Sequence, residues 1–148
     1  MEPKRTYFAY GSNMVVSQMA ERCPGAKLSG IARLENHMFL INERGVATIV
    51  PKQGSNVYGL IWDITEECKE ALDKWEGVSK GHYYENYVLV DSQEGEKIRC
   101  LAYIATNSKP GVSRPGYIEK IVAAAEEQGL PGAYVEYLRG YCLNIENN

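Results

Sequence analysis

The order of β-type and helical segments is the feature that most constrains the fold of this chain. Stretches rich in β-branched, aromatic and alternating apolar residues fill the middle of the sequence, and helical patterns lie mostly toward its ends. Because strands and helices do not alternate regularly, we expect an α+β fold rather than a parallel α/β sheet. We predict a small mixed, curved β-sheet or barrel of about six strands, flanked by about four helices. Its 148 residues are short enough to form a single domain, 1–148.

The predicted strands are bounded by glycine, proline and other turn residues. They cover residues 7–10, 26–42, 46–50, 56–64, 83–90 and 97–105, and the second range is interpreted as one strand or two. Pro51 is expected to close the strand at 46–50, because proline cannot donate a hydrogen bond to a ladder. Gly59, inside the range 56–64, predicts either a bulge or a close approach of another backbone.

The predicted helices follow an apolar periodicity of three to four residues. They run from Ser12 and Asn13 to about Arg22, and over residues 65–75, 115–128 and 133–142. Ser12 and Asn13 are good N-cap residues for the first helix, and Thr65 is expected to cap the second. Gly77 is expected to end that second helix.

Composition and charge exclude several functional classes. The chain is 45% hydrophobic and 24% charged, as ordinary soluble globular proteins are. Its formal net charge of −3 gives no electrostatic footprint for nucleic acid or an anionic membrane. No apolar run approaches the roughly 18 residues of a membrane span, and the first residues lack the apolar region of a secretory signal. We therefore expect a cytoplasmic protein with no nucleic-acid or membrane partner.

The four cysteines are too widely spaced to predict a metal site. Cys23, Cys68, Cys100 and Cys142 form no close pair, and the chain has two histidines only. Zinc sites normally draw on closer pairs of ligands, so we expect no metal. The even count leaves two disulfides open, but reduced and mostly buried thiols are the favoured interpretation.

Two short segments carry candidate chemistry. Tyr10-Gly11-Ser12-Asn13 joins a strand to a helix, so its glycine allows a sharp turn and its N–H groups are available to an anion or a polarised carbonyl. Glu76 lies at the end of a helix, beside Trp75, where the helix dipole and desolvation both raise a carboxyl pKa. A raised pKa suits a general acid or base near neutral pH. Taken singly, each segment is also typical of ordinary surface structure.

Tyrosine is unusually abundant, with eleven tyrosines against two phenylalanines. Tyr83, Tyr84, Tyr87 and Tyr103 fall on predicted strands that follow Glu76. Tyrosine suits small-molecule pockets because it packs like phenylalanine and still offers a hydroxyl. Because most tyrosines on strands are core or edge residues, a structural role is the favoured interpretation for any single one of them.

Taken together, these segments resemble the γ-glutamyl cyclotransferase family. The similarity spans most of the chain, and its parts stand in the same order as in the family. The matching segments are Tyr-Phe-Ala-Tyr-Gly-Ser-Asn at 7–13, Val-Tyr-Gly-Leu-Ile-Trp at 57–62, Leu-Asp-Lys-Trp-Glu-Gly-Val at 72–78, Gly-His-Tyr at 81–83, Ala-Tyr-Ile-Ala-Thr-Asn at 102–107, and residues 115–131. Ser-Asn after Tyr-Gly is similar to the branch that acts on γ-glutamyl amino acids.

The resemblance implies an enzyme that works without metal or cofactor on a small-molecule γ-glutamyl substrate. The substrate's α-amino group attacks its own side-chain carbonyl, which forms 5-oxoproline and releases the amine. By the same resemblance, Glu76 is the general base and acid. The implied substrate-binding residues are Tyr7, Phe8, Ala9, Tyr10, Gly11, Ser12, Asn13, Tyr83 and Tyr103.

Several alternatives stay open at this point. The chain is trimmed between Arg33 and Gly45 compared with longer relatives, and it ends without an extended tail. Those regions shape the pocket mouth and oligomer contacts, so the released amine and a homodimer are undetermined. A non-catalytic binding module on the same fold, removal of a γ-glutamyl protecting group from a larger metabolite, and a ligand contact by His82 remain alternatives.

Overall fold

Five strands close into a barrel in the computed structural model, which describes residues 5–146 and, in its last helix, side chains up to residue 142. The predicted domain boundaries at residues 1 and 148 lie outside that range. The strands are β1 (Arg5–Ala9), β2 (Lys27–Ile41), β3 (Ala47–Ile64), β4 (Tyr83–Ser92) and β5 (Lys97–Ala105). The helices are α1 (Val16–Arg22), α2 (Glu66–Trp75), α3 (Tyr117–Gln128) and α4 (Gly132–Glu146), with short 3-10 helices at Ser12–Met14 and Val78–Lys80.

The barrel order is β1-β3-β2-β4-β5, and β5 closes the ring by pairing in parallel with β1. All the other pairs are antiparallel. This confirms the α+β class, the mixed sheet and the four helices. The count of about six strands is corrected to five.

The two β-runs predicted around Pro51 form one long strand, β3, and Pro51 does not end it. Both halves of β3 pair with the same partner strand, since His37 faces Pro51 and Glu35 faces Asn56. Between these pairs a single residue of β2, Asn36, stands opposite four residues of β3. Asn36 holds this bulge, because its side-chain oxygen accepts the Gly54 N–H at 3.0 Å. Proline is tolerated beside a bulge, where the ladder is already interrupted.

Gly59 lies where two backbones approach closely, as its position within a strong strand predicted. A Cβ at Gly59 would stand 2.4 Å from the carbonyl oxygen of Ala9 and 2.9 Å from the ring of Phe8. Only glycine fits at this separation. The contact sets the end of β1, and therefore the start of the loop that follows it.

The helix caps agree with the sequence at α2 and differ at α1. The Thr65 hydroxyl accepts the Cys68 N–H at 3.2 Å, and Gly77 adopts the left-handed conformation (φ 64°) after the helix. Neither Ser12 nor Asn13 caps α1, which begins after Val15 without a side-chain cap. The expected cap at Asn13 is wrong because its side chain is hydrogen-bonded elsewhere.

Cys23 and Cys68 are joined by a disulfide, so the expectation of four reduced cysteines is wrong for this pair. Cys23 follows α1 and Cys68 lies in α2, with their Cα atoms 5.1 Å apart. That distance is within the usual range for a disulfide. The packing of α1 against α2 creates the proximity, which a separation of 45 residues in the sequence does not show. Cys100 is reduced and buried in β5.

Helix α3 closes the fold over the loop that follows β1. The Ser113 hydroxyl accepts the Ile118 N–H at 3.1 Å, which fixes the start of the helix. The Tyr117 hydroxyl then accepts the Ala47 N–H at 3.0 Å and ties α3 to β3. Over residues 5–146, the structure contains no helix with the length and apolarity that crossing a membrane requires.

Candidate active site

An inner pocket of about 30 Å³ gathers most of the residues that the sequence singled out. It is lined by Tyr7, Tyr10, Gly11, Ser12, Asn13, Ala47, Glu76, Tyr83, Tyr103 and Tyr117. These side chains come from β1, the loop after it, β3, the end of α2, β4, β5 and the start of α3. The barrel and its helices therefore bring together residues that are up to 110 positions apart in the sequence.

Phe8 and Ala9 do not line this pocket, which corrects the expectation that the whole segment 7–13 holds a ligand. Phe8 is completely buried and Ala9 is nearly so. The Phe8 ring and the Ala9 carbonyl pack against the backbone at Gly59. Their role is to position the loop after β1.

Asn13 is the hub of the polar contacts in the pocket. Its side-chain amide donates to the Tyr7 hydroxyl at 2.9 Å and to Oε1 of Glu76 at 3.2 Å. Its side-chain oxygen accepts from Gln18 at 3.1 Å and from Arg22 at 3.0 Å. All the hydrogen-bonding atoms of the Asn13 amide are thus engaged, so its orientation is fixed and its N–H groups point at Tyr7 and Glu76.

Glu76 stands immediately after α2 and lines both the inner pocket and a larger cavity outside it. Burial raises the pKa of its carboxyl from 4.5 to about 7, against the opposing effects of Arg22 and of the hydrogen bond from Asn13. A carboxyl with that pKa exchanges a proton readily near neutral pH. The upward shift of the Glu76 pKa agrees with the desolvation that the sequence predicted beside Trp75.

Three of the tyrosine hydroxyls that line the pocket donate to protein acceptors. Tyr83 donates to the Ala47 carbonyl at 2.7 Å, and Tyr103 donates to Oδ1 of Asp73 at 2.6 Å. Tyr10 donates to the Tyr103 carbonyl. Burial raises the pKa of Tyr10, Tyr83 and Tyr103 far above its usual value, so these hydroxyls stay protonated. Because each of these hydroxyls already donates its proton to a protein acceptor, it can only accept a hydrogen bond from a ligand.

The loop after β1 contributes backbone groups to the pocket. Gly11, Ser12 and Asn13 lie at the start of the 3-10 helix, where backbone N–H groups have no acceptor within the helix. A Cβ at Gly11 would stand 3.3 Å from Cβ of Ala47, so the glycine keeps the loop close to β3.

Sequence reasoning missed Ala47 and Tyr117 as lining residues. Tyr117 was visible as a tyrosine within the matching segment 115–131, but its approach to Ala47 depends on how α3 packs. Burial raises the pKa of Tyr117 to about 12. His82 lines the outer cavity and not the inner pocket. Within residues 5–142, no three His, Cys, Asp or Glu side chains cluster as a metal site would require.

The fold and this site define a small α+β barrel with a buried carboxyl that can act as an acid or a base in a tyrosine-rich pocket. Comparisons with known proteins show which family has these features. A model described as the AIG2-like family matches residues 56–138. The chain is 35% identical over 143 residues to a γ-glutamylcyclotransferase of Mus musculus, a match that covers 90% of this chain and 76% of the relative. It is 34% identical to the one from Homo sapiens with the same coverage.

Solved structures agree with the sequence comparison. A γ-glutamyl cyclotransferase structure superposes with a TM-score of 0.87 at 33% identity, covering 93% of this chain and 87% of that chain. A yeast γ-glutamyl cyclotransferase specific to glutathione has a TM-score of 0.63 at 13% identity, over 93% of this chain and 95% of that chain, and shares the fold. The chain belongs to the γ-glutamylcyclotransferase family, which confirms the resemblance seen in its motifs.

Proposed function

We propose that the protein is a γ-glutamylcyclotransferase, which converts a γ-glutamyl amino acid or amine into 5-oxoproline and the released amine. The observation that carries this proposal is Glu76. Its carboxyl has a pKa raised to about 7 by burial, and it stands where the inner pocket meets the outer cavity. Relatives at 34–35% identity carry the corresponding name.

The chemistry needs one group that takes a proton and then returns it. The α-ammonium group of the glutamyl arm first gives one proton to the Glu76 carboxylate, and the resulting neutral amine then forms a bond to the side-chain carbonyl carbon. The bond from that carbon to the leaving nitrogen breaks as Glu76 returns its proton to that nitrogen, and the second proton shed by the attacking nitrogen is taken up by the released amine. No other reactant enters. Because the attack is intramolecular, holding the glutamyl group bent removes much of the entropic barrier.

Asn13 would keep Glu76 in position for both steps. The hydrogen bond from its amide stabilises the ionised carboxylate, and its contacts with Gln18 and Arg22 prevent the amide from turning. The lone pairs of Tyr83 and Tyr103 suit the α-ammonium group of the glutamyl arm, since both hydroxyls already donate elsewhere.

The backbone N–H groups of Gly11, Ser12 and Asn13 would serve the substrate carboxylate or the developing oxyanion. The inner pocket, at about 30 Å³, has room for about two water molecules. It therefore has to widen by side-chain movement when the glutamyl arm enters. The outer cavity is the place for the amine that leaves.

The experiment that tests the proposal measures 5-oxoproline by mass spectrometry. The panel contains γ-glutamyl dipeptides, glutathione, γ-glutamyl amines and a larger γ-glutamyl conjugate, and Glu76→Gln is the control. Release that disappears in the control supports both the reaction and the base. Tight binding without release from folded protein would instead favour a binding module, and free glutamate in place of 5-oxoproline would favour another amide-cleaving reaction.

We further propose that residues 1–148 act as one cytoplasmic domain that needs no metal or cofactor. Activity that persists after dialysis against a chelator would support independence of metal, and activity restored only by added metal would contradict it. Light scattering coupled to size-exclusion chromatography measures the molar mass in solution and so distinguishes a monomer from a homodimer.

A further inference from the structure

The outer cavity is lined by an unusual concentration of positive charge. It has a volume of about 460 Å³ and shares Ser12, Glu76, Tyr83 and Tyr117 with the inner pocket. Six of its lining residues are cations, namely Arg22, Arg44, Lys74, Lys80, Arg114 and Lys120. Glu76 is its single acidic lining residue. This is a local reversal of sign in a chain whose formal net charge is −3.

The cations of the cavity form no ion pair within 4.0 Å with a carboxylate in the part of the chain whose side chains are described, and only Arg22 acts measurably on a carboxyl, that of Glu76. The ion pairs found there, at up to 4.0 Å, use a different set of cations: Arg5, Arg33, Lys69, Lys97 and Arg139. Gathering six like charges around one cavity works against the compact state. A cluster of like charges that the protein itself does not neutralise points to a ligand that supplies the opposite charge.

Separate parts of the chain contribute these charges. Arg22 ends α1, Arg44 lies in the turn between β2 and β3, Lys74 is in the last turn of α2, Lys80 ends the second 3-10 helix, and Arg114 and Lys120 flank the start of α3. Two of them are held in place by neutral groups. The Arg22 guanidinium stacks 4.7 Å from the centre of the Trp75 ring, and Nε of Arg114 donates to the Arg44 carbonyl at 2.9 Å.

We propose that the outer cavity selects γ-glutamyl substrates whose released amine carries two or more carboxylates, such as an acidic amino acid or a γ-linked acidic peptide. This inference rests on the proposed function, because it assigns the cavity to the leaving group. A leaving group with one carboxylate would use one arginine, or one or two lysines, and would leave most of the cavity's charge without a partner. A leaving group with two or more carboxylates engages more of these cations and suits their spread around the cavity.

The test compares two substrates that differ by one charge and keep the same shape. γ-Glutamyl-glutamate and γ-glutamyl-glutamine differ only where a carboxylate replaces an amide. We expect kcat/KM to be at least about tenfold higher for γ-glutamyl-glutamate at low salt, which corresponds to about 1.4 kcal/mol. The ratio should fall as salt is added, because the cations of an open cavity are screened. Equal values for the two substrates, or a ratio insensitive to salt, would overturn the inference.

Charge-removing variants identify the residues responsible. Lys80 and Lys120 are exposed and form no ion pair with any side chain that the structure describes, so Lys80→Gln and Lys120→Gln should fold normally. Each is expected to lower the ratio of the two kcat/KM values about two- to fivefold. Lys52→Gln, in the exposed bulge of β3 outside the cavity, is the matched control and should leave that ratio unchanged. If Lys80→Gln and Lys120→Gln keep the wild-type ratio as the control does, the charges of the cavity do not select the leaving group.

Binding separates the failure of this inference from the failure of the proposed function. Both compounds are titrated by calorimetry into Glu76→Gln. Preference for γ-glutamyl-glutamate in binding, without turnover by the wild type, would reject the cyclotransferase and keep an anion-selective cavity. Turnover of both compounds with equal kcat/KM would keep the cyclotransferase and reject the selectivity.

Discussion

Glu76→Gln should raise stability at high pH while it removes turnover. Burial moves the pKa of this carboxyl from 4.5 to about 7, so the folded protein favours the protonated form more than the unfolded chain does. The difference is worth about 3 kcal/mol, at about 1.4 kcal/mol per pKa unit. The sign follows from proton uptake: this contribution is fully present below pH 4.5 and is lost as the pH rises toward 7.

Glutamine has the shape of the protonated glutamic acid and does not ionise. The variant therefore avoids the cost of a buried carboxylate, and its oxygen can still accept from Asn13. Relative to the wild type, we expect its free energy of unfolding to be higher by about 1 kcal/mol at pH 5 and about 3 kcal/mol at pH 8. Urea denaturation of both proteins at the two pH values measures this difference, and contributions of the other titrating groups cancel.

The control is Glu70→Gln, on the exposed side of the same helix. A surface substitution of this kind should change stability by no more than about 0.5 kcal/mol at either pH. A stability difference between Glu76→Gln and the wild type that does not grow from pH 5 to pH 8 would show that Glu76 is not desolvated. Glu76 would then also be unsuited to act as a base near neutral pH. In the activity assay, loss of a general base is expected to cost about 10²- to 10⁴-fold in kcat/KM.

Three further perturbations test neighbouring parts of the structure. Arg22→Gln removes the positive charge that lowers the pKa of Glu76, so the pKa of Glu76 should rise further. The acidic limb of the pH profile of kcat/KM should therefore move from about pH 7 to a higher pH. An unmoved limb would contradict the role of Glu76 as the base. Tyr103→Phe removes a hydrogen bond to a carboxylate and should cost about 1.5–3 kcal/mol of stability together with a raised KM, whereas unchanged kinetics would make the hydroxyl purely structural. Replacing Cys23 and Cys68 by serine removes the disulfide and should lower the free energy of unfolding by about 2–4 kcal/mol. Alkylation of the native protein without reductant checks the bond: complete modification of both cysteines would show that the disulfide is absent.

Where the deciding interactions are local, the sequence determined the structure well. Thr65 caps α2 because its hydroxyl reaches an N–H three residues away, and Gly77 ends the helix because it accepts a positive φ. The alternation and β-branched content of the strands, and the periodicity of the helices, predicted the α+β class. The order of the motifs predicted that Glu76 and the tyrosines belong to one site, although no local rule required them to meet.

Long-range pairing decided the rest. Pro51 was expected to end a strand, and the structure keeps the strand because β2 pairs with both of its halves around the bulge at Asn36. Asn13 has the local pattern of a helix cap, but Tyr7, Glu76 and Arg22 together hold its amide. A cap contributes about 1 kcal/mol, and several partly buried hydrogen bonds with charged partners outweigh it.

The sequence by itself determined the α+β class, most of the helices and strands and the family, and it singled out Glu76 as the candidate acid or base. The tertiary structure alone decided the disulfide between Cys23 and Cys68, the exclusion of Phe8 and Ala9 from the pocket, and the ring of cations around the outer cavity. Propensity, capping and periodicity act over a few residues. The pKa of Glu76 and the charge of the cavity depend on which distant surfaces pack together, and that is set by closure of the barrel and the docking of α1, α2 and α3.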